Sequence, residues 1–180
     1  AFALDPGGAL LVTGPNGSGK SSLLRTLAGL LPASRGEINW GGAALDWSRH
    51  RARLHYLGHN DAIKPDLTVR EMLGYWQSLR GNPAPTEVLD ELYLEPLLER
   101  RGRYLSAGQR RRVALGRLTT QEAPLWLLDE PATSLDARGQ ALLAGVVARH
   151  RTKGGIVIVA AHHGIDLKDA QHLSLAGPLP

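Results

Sequence analysis

The stretch that decides the fold reads Ala9-Leu-Leu-Val-Thr-Gly14-Pro-Asn-Gly-Ser-Gly19-Lys20-Ser21-Ser22-Leu23-Leu24. A short apolar run ends at Gly14, glycines and small polar residues follow, and leucines then recur at helical spacing as far as Leu30. This order of strand, glycine-rich loop and helix predicts the first βα unit of an α/β protein. The segment from Gly14 to Ser21 also fits G-x-x-x-x-G-K-[ST] at every fixed position.

The loop has the chemistry of a phosphate site. Its glycines let backbone N–H groups turn inward without a Cβ clash, and the helix that begins near Lys20 directs its positive end at the same anion. Lys20 supplies a charge to the β- and γ-phosphates, and the Ser21 hydroxyl is placed to bind Mg²⁺. We therefore predict a nucleoside triphosphate site formed by Gly14, Pro15, Asn16, Gly17, Ser18, Gly19, Lys20, Ser21 and Ser22.

Further apolar runs predict the rest of the sheet. Residues 125–128 and 156–161 form short apolar runs flanked by breakers, which are typical of strands buried on both faces, and residues 53–57 predict another strand. Residues 134–150 have the pattern of a helix, and residues 37–47 that of a hairpin with a diglycine turn. Strands that alternate with helices favour a parallel α/β sheet.

Between Leu67 and Arg100 the apolar positions return to helical spacing, with an interruption at residues 81–85. This pattern predicts an insertion of two or more helices into the sheet protein.

The composition excludes several classes of protein. The 180 residues are 43% hydrophobic, 21% charged and 5% aromatic, which is unlike a disordered tail, a coiled coil or a collagen repeat. Without cysteine, the chain has no disulfide framework, zinc–cysteine site or thiol nucleophile. Its longest apolar run, residues 156–161, is far shorter than the ~20 residues that span a bilayer, so we do not expect an integral membrane protein. A net charge of +4 suits nucleic acid, an anionic membrane or a nucleotide, and equally well arginines in solvent.

Two carboxylates end the apolar run at 125–128. Asp129 would hold the Mg²⁺ shell, and Glu130 could orient and deprotonate the water that attacks the γ-phosphate. The alternative is a surface turn before Pro131, and the upstream phosphate loop favours catalysis. His162 follows the last apolar run and could contact the γ-phosphate, although a structural role for it or for the adjacent His163 stays open.

Leu105-Ser106-Ala107-Gly108-Gln109 ends 20 residues before Asp129. With the phosphate loop, Ser134-Leu135-Asp136 and His162, it resembles the ATP-binding subunit of ABC transporters in content, order and spacing. The resemblance implies a P-loop NTPase (RecA-like) parallel-sheet core with a helical ABC subdomain and a small antiparallel β portion. It also implies one ABC ATPase domain divided into core residues 1–59, helical subdomain 60–112 and core residues 113–180.

The same resemblance implies ATP and Mg²⁺ as ligands, with Glu130 and His162 as the catalytic residues. Ser106, Gly108 and Gln109 would contact ATP that is bound to a second copy, so the chain would form a homodimer around sandwiched nucleotides. Asp136 would lie at that subunit contact.

A narrower resemblance is carried by residues 56–64, 67–69, 105–115 and 155–163, which are similar to segments of the haem-exporter ATPases of cytochrome c maturation. It implies an ATP-hydrolysing subunit on the cytoplasmic face of the bacterial inner membrane. The subunit would drive a membrane protein resembling CcmB, together with CcmC, and would have no nucleic-acid partner.

Two features depart from the family pattern. Asn60 stands where most members have glutamine, and its shorter side chain reduces its reach to Mg²⁺ or water by roughly 1.5 Å. The chain also begins close to the phosphate loop, so we expect a truncated N-terminus, with the first strand and the adenine-stacking aromatic residue upstream.

Several alternatives stay open. The same ATPase could serve another transported substrate, or it could be a soluble ABC-type ATPase that acts on ribosomes or nucleic acid. A phosphate-loop kinase would lack the segment 105–109. His59 could bind haem iron, although a loop residue that faces the membrane partner is the simpler interpretation. Residues 110–112 are three arginines, which could form a nucleic-acid patch, a solvated helix face or a charge near phosphate.

Overall fold

The computed structural model describes residues 1–79, 89–90, 92–120, 123–162, 165 and 167–176, so the predicted helix break at residues 81–85 and His163 lie outside the described residues. The chain forms two compact units. The core unit comprises Ala1–Gly58, Ala123–Glu130 and Val147–Pro180, and the helical unit comprises His59–Glu122 and Pro131–Val146. The division predicted at residues 59 and 112 stays a prediction.

No helix within the described residues combines the length and apolar character that a bilayer crossing demands.

The elements of the core unit are β1 (Ala9–Thr13), α1 (Lys20–Leu27), β2 (Asn39–Trp40), β3 (Ala43–Ala44), α2 (Trp47–Ala52), β4 (Leu54–Leu57), β5 (Leu125–Asp129), β6 (Ile156–Ala160) and β7 (Gln171–Ser174). The elements of the helical unit are α3 (Val69–Ser78), 3-10 turns at Glu95–Leu97 and Gly102–Tyr104, and α4 (Ala107–Thr119). Helix α5 (Ala137–Thr152) passes from the helical unit into the core unit.

The core unit contains the predicted parallel sheet. Its strand order is β4-β5-β6-β1-β7, and each neighbouring pair is parallel. Ala160 of β6 lies opposite both Val12 of β1 and Asp129 of β5, so these three strands end level with one another. The register thus gathers the segments after Thr13, Asp129 and Ala160 at one edge of the sheet.

Burial of apolar side chains holds this sheet against α1. Four of the five residues of β1 and all of β5 are buried, as continuous apolar runs require when both faces of a strand are covered. The resulting cluster contains Leu10, Val12, Leu24, Leu27, Ala28, Leu54, Leu125, Leu127, Ile158 and Ala160.

The predicted hairpin is confirmed but is shorter than expected. Strands β2 and β3 pair antiparallel around Gly41 and Gly42, whose φ angles of 60° and 79° suit a tight turn that only glycine adopts readily. The prediction was wrong at its end, since Trp47 begins α2. Asp46 caps that helix because its carboxylate accepts hydrogen bonds from the N–H groups of Ser48 and Arg49 at 3.0 and 3.3 Å.

Helix α5 also differs in its start from the predicted helix at 134–150. Ser134 has a φ of 66°, which a helix cannot contain, and α5 begins three residues later. The carboxylate of Asp136 accepts a hydrogen bond from the N–H of Gly139 at 2.8 Å, as an N-cap does.

Helix α3 of the helical unit confirms that the predicted insertion contains a helix. Thr68 and Glu71 form a capping box at the start of α3, in which the Thr68 N–H donates to the Glu71 carboxylate at 2.7 Å and lowers the pKa of Glu71. The side chains of Leu94 and Leu73 pack closely on α4 at Gly116, where an added Cβ atom would lie 2.9 Å and 3.3 Å from them.

A stacked ring pair joins the end of α5 to the sheet. The rings of Trp126 and His150 are parallel within 7°, with centroids 3.9 Å apart. The His150 Nε2 atom lies 3.2 Å from the carbonyl oxygen of Ile156, and burial lowers the pKa of His150. Gly155 packs against this imidazole so closely that an added Cβ would overlap the ring.

We expect Gly155→Ala to destabilise the chain by about 1–3 kcal/mol, because the methyl group must displace His150 from its stack on Trp126. Urea unfolding at neutral pH measures this loss. Gly145→Ala is the matched control, since a Cβ atom at that helical position meets nothing, and we expect it to be neutral or to stabilise by up to about 1 kcal/mol. Equal effects of the two substitutions would contradict the packing argument.

Candidate nucleotide site

The candidate site lies at the carboxyl edge of the sheet in the core unit. The phosphate loop follows β1, the acid pair Asp129–Glu130 ends β5, and His162 follows β6. Ligands of open α/β sheets bind outside the carboxyl ends of the strands. The structure thus brings the predicted phosphate loop, acid pair and histidine to one place within one unit.

The loop conformation depends on its glycines. Gly14, Gly17 and Gly19 have φ angles of 148°, 80° and 95°. A Cβ atom at Gly14 would lie 2.6 Å from the carbonyl oxygen of Leu175 and 2.7 Å from the Ser18 hydroxyl, whereas Cβ positions at Gly17 and Gly19 face open space. Tight packing therefore fixes Gly14, and backbone geometry alone selects the other two.

Lys20 holds the loop together from inside. Its side chain is buried, and its ammonium group donates hydrogen bonds to the carbonyl oxygens of Gly14 at 2.8 Å and Pro15 at 3.0 Å. The same nitrogen lies 3.3 Å from Nε2 of His162. Because lysine can only donate, Nε2 is the acceptor in that contact. The predicted phosphate-binding lysine and the histidine predicted to contact the γ-phosphate are therefore in direct contact.

Glu130 stands at a strained turn beside this pair. Its φ of 48° is uncommon for a residue with a side chain and costs of order 1 kcal/mol or more. The Glu130 N–H donates to the carbonyl oxygen of Ala160 at 2.8 Å, which fixes the turn to the end of β6. Its carboxylate lies 3.8 Å from Nε2 of His162, and the preceding Asp129 is 2% exposed.

The residues present fit a magnesium–triphosphate complex. The Ser18 hydroxyl oxygen is buried with no hydrogen-bond partner among the described residues, so it is available to a ligand in the loop. Helix α1 begins at Lys20 without a side-chain cap, which leaves its first N–H groups to an anion. Ser21 and Asp129 offer the hard oxygen ligands that Mg²⁺ prefers. Of the other predicted loop residues, Pro15, Asn16 and Ser22 are exposed.

The helical unit carries the predicted signature segment at the start of α4. Ser106 caps this helix in a capping box: its hydroxyl accepts from the Gln109 N–H at 3.2 Å, and the Gln109 side-chain oxygen accepts from the Ser106 N–H at 2.9 Å. A Cβ atom at Gly108 would lie 2.9 Å from the carbonyl oxygen of Ser134. Ser106 is exposed, and its hydroxyl hydrogen can still donate to a ligand.

Three further residues from the sequence analysis also lie in the helical unit. Asp136 is exposed, and its carboxylate caps α5 through Gly139. Asn60 and His59 are exposed and line a cavity of about 670 Å³, whose other polar lining residues include Asp61, Arg103 and Arg110. The roles of Asn60, Asp136, Ser106, Gly108 and Gln109 toward nucleotide stay predictions.

The structure also reveals a residue that the sequence reasoning missed. The sequence analysis treats Arg111 and its two neighbouring arginines alike, as a nucleic-acid patch, a solvated helix face or a charge near phosphate, but Arg111 is 3% exposed. It donates to the Asp61 carboxylate at 2.7 Å and to the carbonyl oxygen of Pro131 at 3.0 Å. Helical periodicity could have predicted this burial, because Arg111 lies on the same face of α4 as the buried Leu115 and Leu118.

Comparison with protein families gives the class of this chain. Residues 1–133 match the family described as ABC transporter. The chain belongs to the ABC transporter family and is an ATPase of that family, as the phosphate loop and signature segment indicated.

Among curated proteins, the chain is similar to the cytochrome c biogenesis ATP-binding export protein CcmA of several bacteria. It is 51% identical to CcmA of Rhodospirillum rubrum, with 97% of this chain and 77% of the relative covered. It is 48% identical to CcmA of Paramagnetospirillum magneticum, with coverage of 97% and 84%. The predicted resemblance to this kind of ABC ATPase is therefore confirmed.

Among solved structures, the chain is similar to one from Pyrococcus furiosus that is described as an ABC transporter ATP-binding protein. The TM-score is 0.83 at 25% identity, with 97% of this chain and 87% of that chain covered. A structure described as the ATP binding subunit of an ABC transporter gives a TM-score of 0.81 at 25% identity, with coverage of 89% and 70%. The predicted α/β P-loop fold is confirmed.

We expect Lys20→Ala to weaken Mg-ATP binding by roughly 10- to 100-fold, because a charged donor to phosphate and two hydrogen bonds inside the loop are lost together. Titration with a fluorescent ATP analogue measures the affinity. Lys153→Ala removes an exposed lysine from the same unit and should leave the affinity unchanged. Wild-type affinity in Lys20→Ala would contradict the assignment of the loop.

Proposed function

We propose that this chain is the ATP-binding and ATP-hydrolysing subunit of an exporter that serves cytochrome c biogenesis through haem export. The observation that carries the catalytic part is the contact series at the sheet edge, where Lys20 meets His162 at 3.3 Å and His162 approaches Glu130 at 3.8 Å. A phosphate-binding cation, a histidine and a carboxylate thus share one site in the core unit.

The phosphate loop binds the triphosphate. Backbone N–H groups of the loop and of the uncapped first turn of α1 would bind the anion, and Lys20 would supply charge at the β- and γ-phosphates. Ser21 and Asp129 would hold Mg²⁺, which neutralises phosphate charge when it is bound.

Glu130 acts as the general base in hydrolysis. It takes a proton from the attacking water while the water oxygen forms a bond to the γ-phosphorus, and the bond from that phosphorus to the β–γ bridging oxygen breaks to release ADP. The turn at Glu130 is fixed by its hydrogen bond to Ala160, so the base is oriented before substrate arrives. His162 contacts the γ-phosphate and senses its presence.

Two copies of the chain act together in this proposal. Ser106, Gly108 and Gln109 at the start of α4 meet the γ-phosphate bound to the other copy, and Asp136 lies at the contact between copies. The exposed hydroxyl of Ser106 and the helix start behind it are suited to an anion. ATP then favours the closed pair, and hydrolysis removes that preference.

The relatives support the biological part of the proposal. Proteins named as cytochrome c biogenesis export proteins match 97–98% of this chain at 40–51% identity. The chain would lie on the cytoplasmic face of the bacterial inner membrane and drive a membrane subunit resembling CcmB, together with CcmC. The role of Asn60, whose side chain is shorter than the usual glutamine, stays open, and His59 would face the membrane partner.

We expect Glu130→Gln to bind Mg-ATP with an affinity within about twofold of wild type and to lose turnover by roughly 100-fold or more, as loss of a general base does. Phosphate release and nucleotide titration measure the two quantities on the same preparation. Glu37→Gln changes an exposed glutamate of the same unit and should retain wild-type turnover. Near-normal hydrolysis by Glu130→Gln would remove Glu130 from the role of base.

We expect a tagged copy of the chain, purified in mild detergent from membranes of its own cells, to retain a polytopic membrane protein in a complex that contains Mg-ATP-dependent ATPase activity. Mass spectrometry identifies that protein, and haem-deficient cytochromes c in a deletion strain test the export role. Retention of ribosomes or nucleic acid instead would support the soluble ATPase. A membrane partner with normal cytochromes c would indicate another transported substrate.

A further inference from the structure

The chain leaves the core unit toward the helical unit after Gly58 and again after Glu130. The first crossing leads into Asn60 and Asp61, and the second leads from the strained turn at Glu130 into Pro131. Each crossing therefore begins at or beside a residue that the proposed function uses. A contact that holds the residues directly after Gly58 and after Glu130 in place also limits how the turn at Glu130 can move.

One side chain in the helical unit binds both segments. Arg111 on α4 donates through Nη1 to the carboxylate of Asp61 at 2.7 Å and through Nε to the carbonyl oxygen of Pro131 at 3.0 Å. The arginine is 3% exposed and the aspartate 22% exposed, so water competes little for either contact. Two nitrogens of one planar group thus join the segment after Gly58 to the segment after Glu130.

A buried pair of this kind is a poor source of stability, because the cost of removing both charges from water offsets their attraction. Such a pair can, however, fix the relative positions of the groups that it binds. Arginine offers several donors in a rigid plane, so moving one acceptor changes the distance to the other. The Pro131 carbonyl follows Glu130 directly, and a shift of about 1 Å at a catalytic group can lower a rate by roughly 100-fold.

We propose that Arg111 is a positioning residue for ATP hydrolysis, which holds the turn after Glu130 in register with the Asn60–Asp61 segment. The proposal rests on the proposed function, since it needs Glu130 to act in hydrolysis. In this role Arg111 does not need to contact nucleotide or Mg²⁺. It acts through the Pro131 carbonyl and through Asp61, and so affects turnover more than nucleotide affinity.

The test compares Arg111→Met, Arg111→Lys, Asp61→Asn and the double variant Asp61→Asn/Arg111→Met, each in the complete chain with its membrane subunit. Arg111→Met should lower kcat by roughly 10- to 100-fold, with KM for Mg-ATP and the affinity for a fluorescent ATP analogue within about twofold of wild type. Arg111→Lys keeps the charge but not the planar pair of donors and should be intermediate. The double variant should be no slower than Arg111→Met alone, since both changes remove one interaction.

Arg70→Met is the matched control. Arg70 forms a pair with Glu99 at the same distance of 2.7 Å in the same unit, but both side chains are exposed, at 62% and 76%. It should retain wild-type kcat, as surface pairs contribute little. Equal losses of kcat in Arg70→Met and Arg111→Met would overturn the positioning role.

Two other results would also overturn it: wild-type kcat in folded Arg111→Met, or parallel losses of kcat and nucleotide affinity, which a purely structural role produces. If Arg111→Met does not fold, wild-type kcat in both Arg111→Lys and Asp61→Asn overturns the proposal, and reduced kcat at unchanged affinity supports it. Failure of the wild-type complex to hydrolyse ATP would instead contradict the proposed function, so the two failures are distinguishable.

Discussion

The parallel register of β1, β5 and β6 is the constraint on which the nucleotide site depends. Because Ala160 lies opposite both Val12 and Asp129, the three strands end level and deliver the phosphate loop, the acid pair and His162 to one edge. Parallel strands with continuous apolar sequences must be covered on both faces, so this edge is one of the few places where the sheet can present polar groups to a ligand. The backbone hydrogen bond from Glu130 to Ala160 transmits the register directly to the proposed base.

Lys20 adds a second level of organisation to the same edge. Its ammonium group is bound by two carbonyl oxygens of the loop, so the loop is shaped around a fixed positive charge. Its contact with His162 then links the ends of β1 and β6 through side chains. A triphosphate that enters this site meets charge and donors already in position, and such preorganisation favours both binding and transition-state stabilisation.

The elements with strong local signals were predicted from sequence, and those with weak or mixed local signals were not. The apolar runs of β1, β5 and β6, the strand pattern at residues 53–57 and the motif around Lys20 were sufficient to predict the parallel sheet and the candidate site at its edge. Strand β7 (Gln171–Ser174) was missed because it is largely polar and exposed, and its pairing with β1 supplies the order that its sequence lacks. Helix α2 was missed because it is short and starts from the cap at Asp46, which interrupts an apparent strand.

The burial of Arg111 could not be predicted from residue type alone. It also shows that two energetically unfavourable features lie close together in this molecule. Three adjacent arginines look alike in a sequence, and only the helical phase of α4 places the middle one inward. Its burial and the positive φ of Glu130 are both costly, and they meet at the same crossing of the chain, through Pro131. Stability alone favours an apolar residue at position 111 and a relaxed turn at position 130. Local rules are broken mainly where function requires a particular geometry, and the hydrogen bond from Arg111 to Pro131, the residue after Glu130, is the contact on which the proposed positioning role rests.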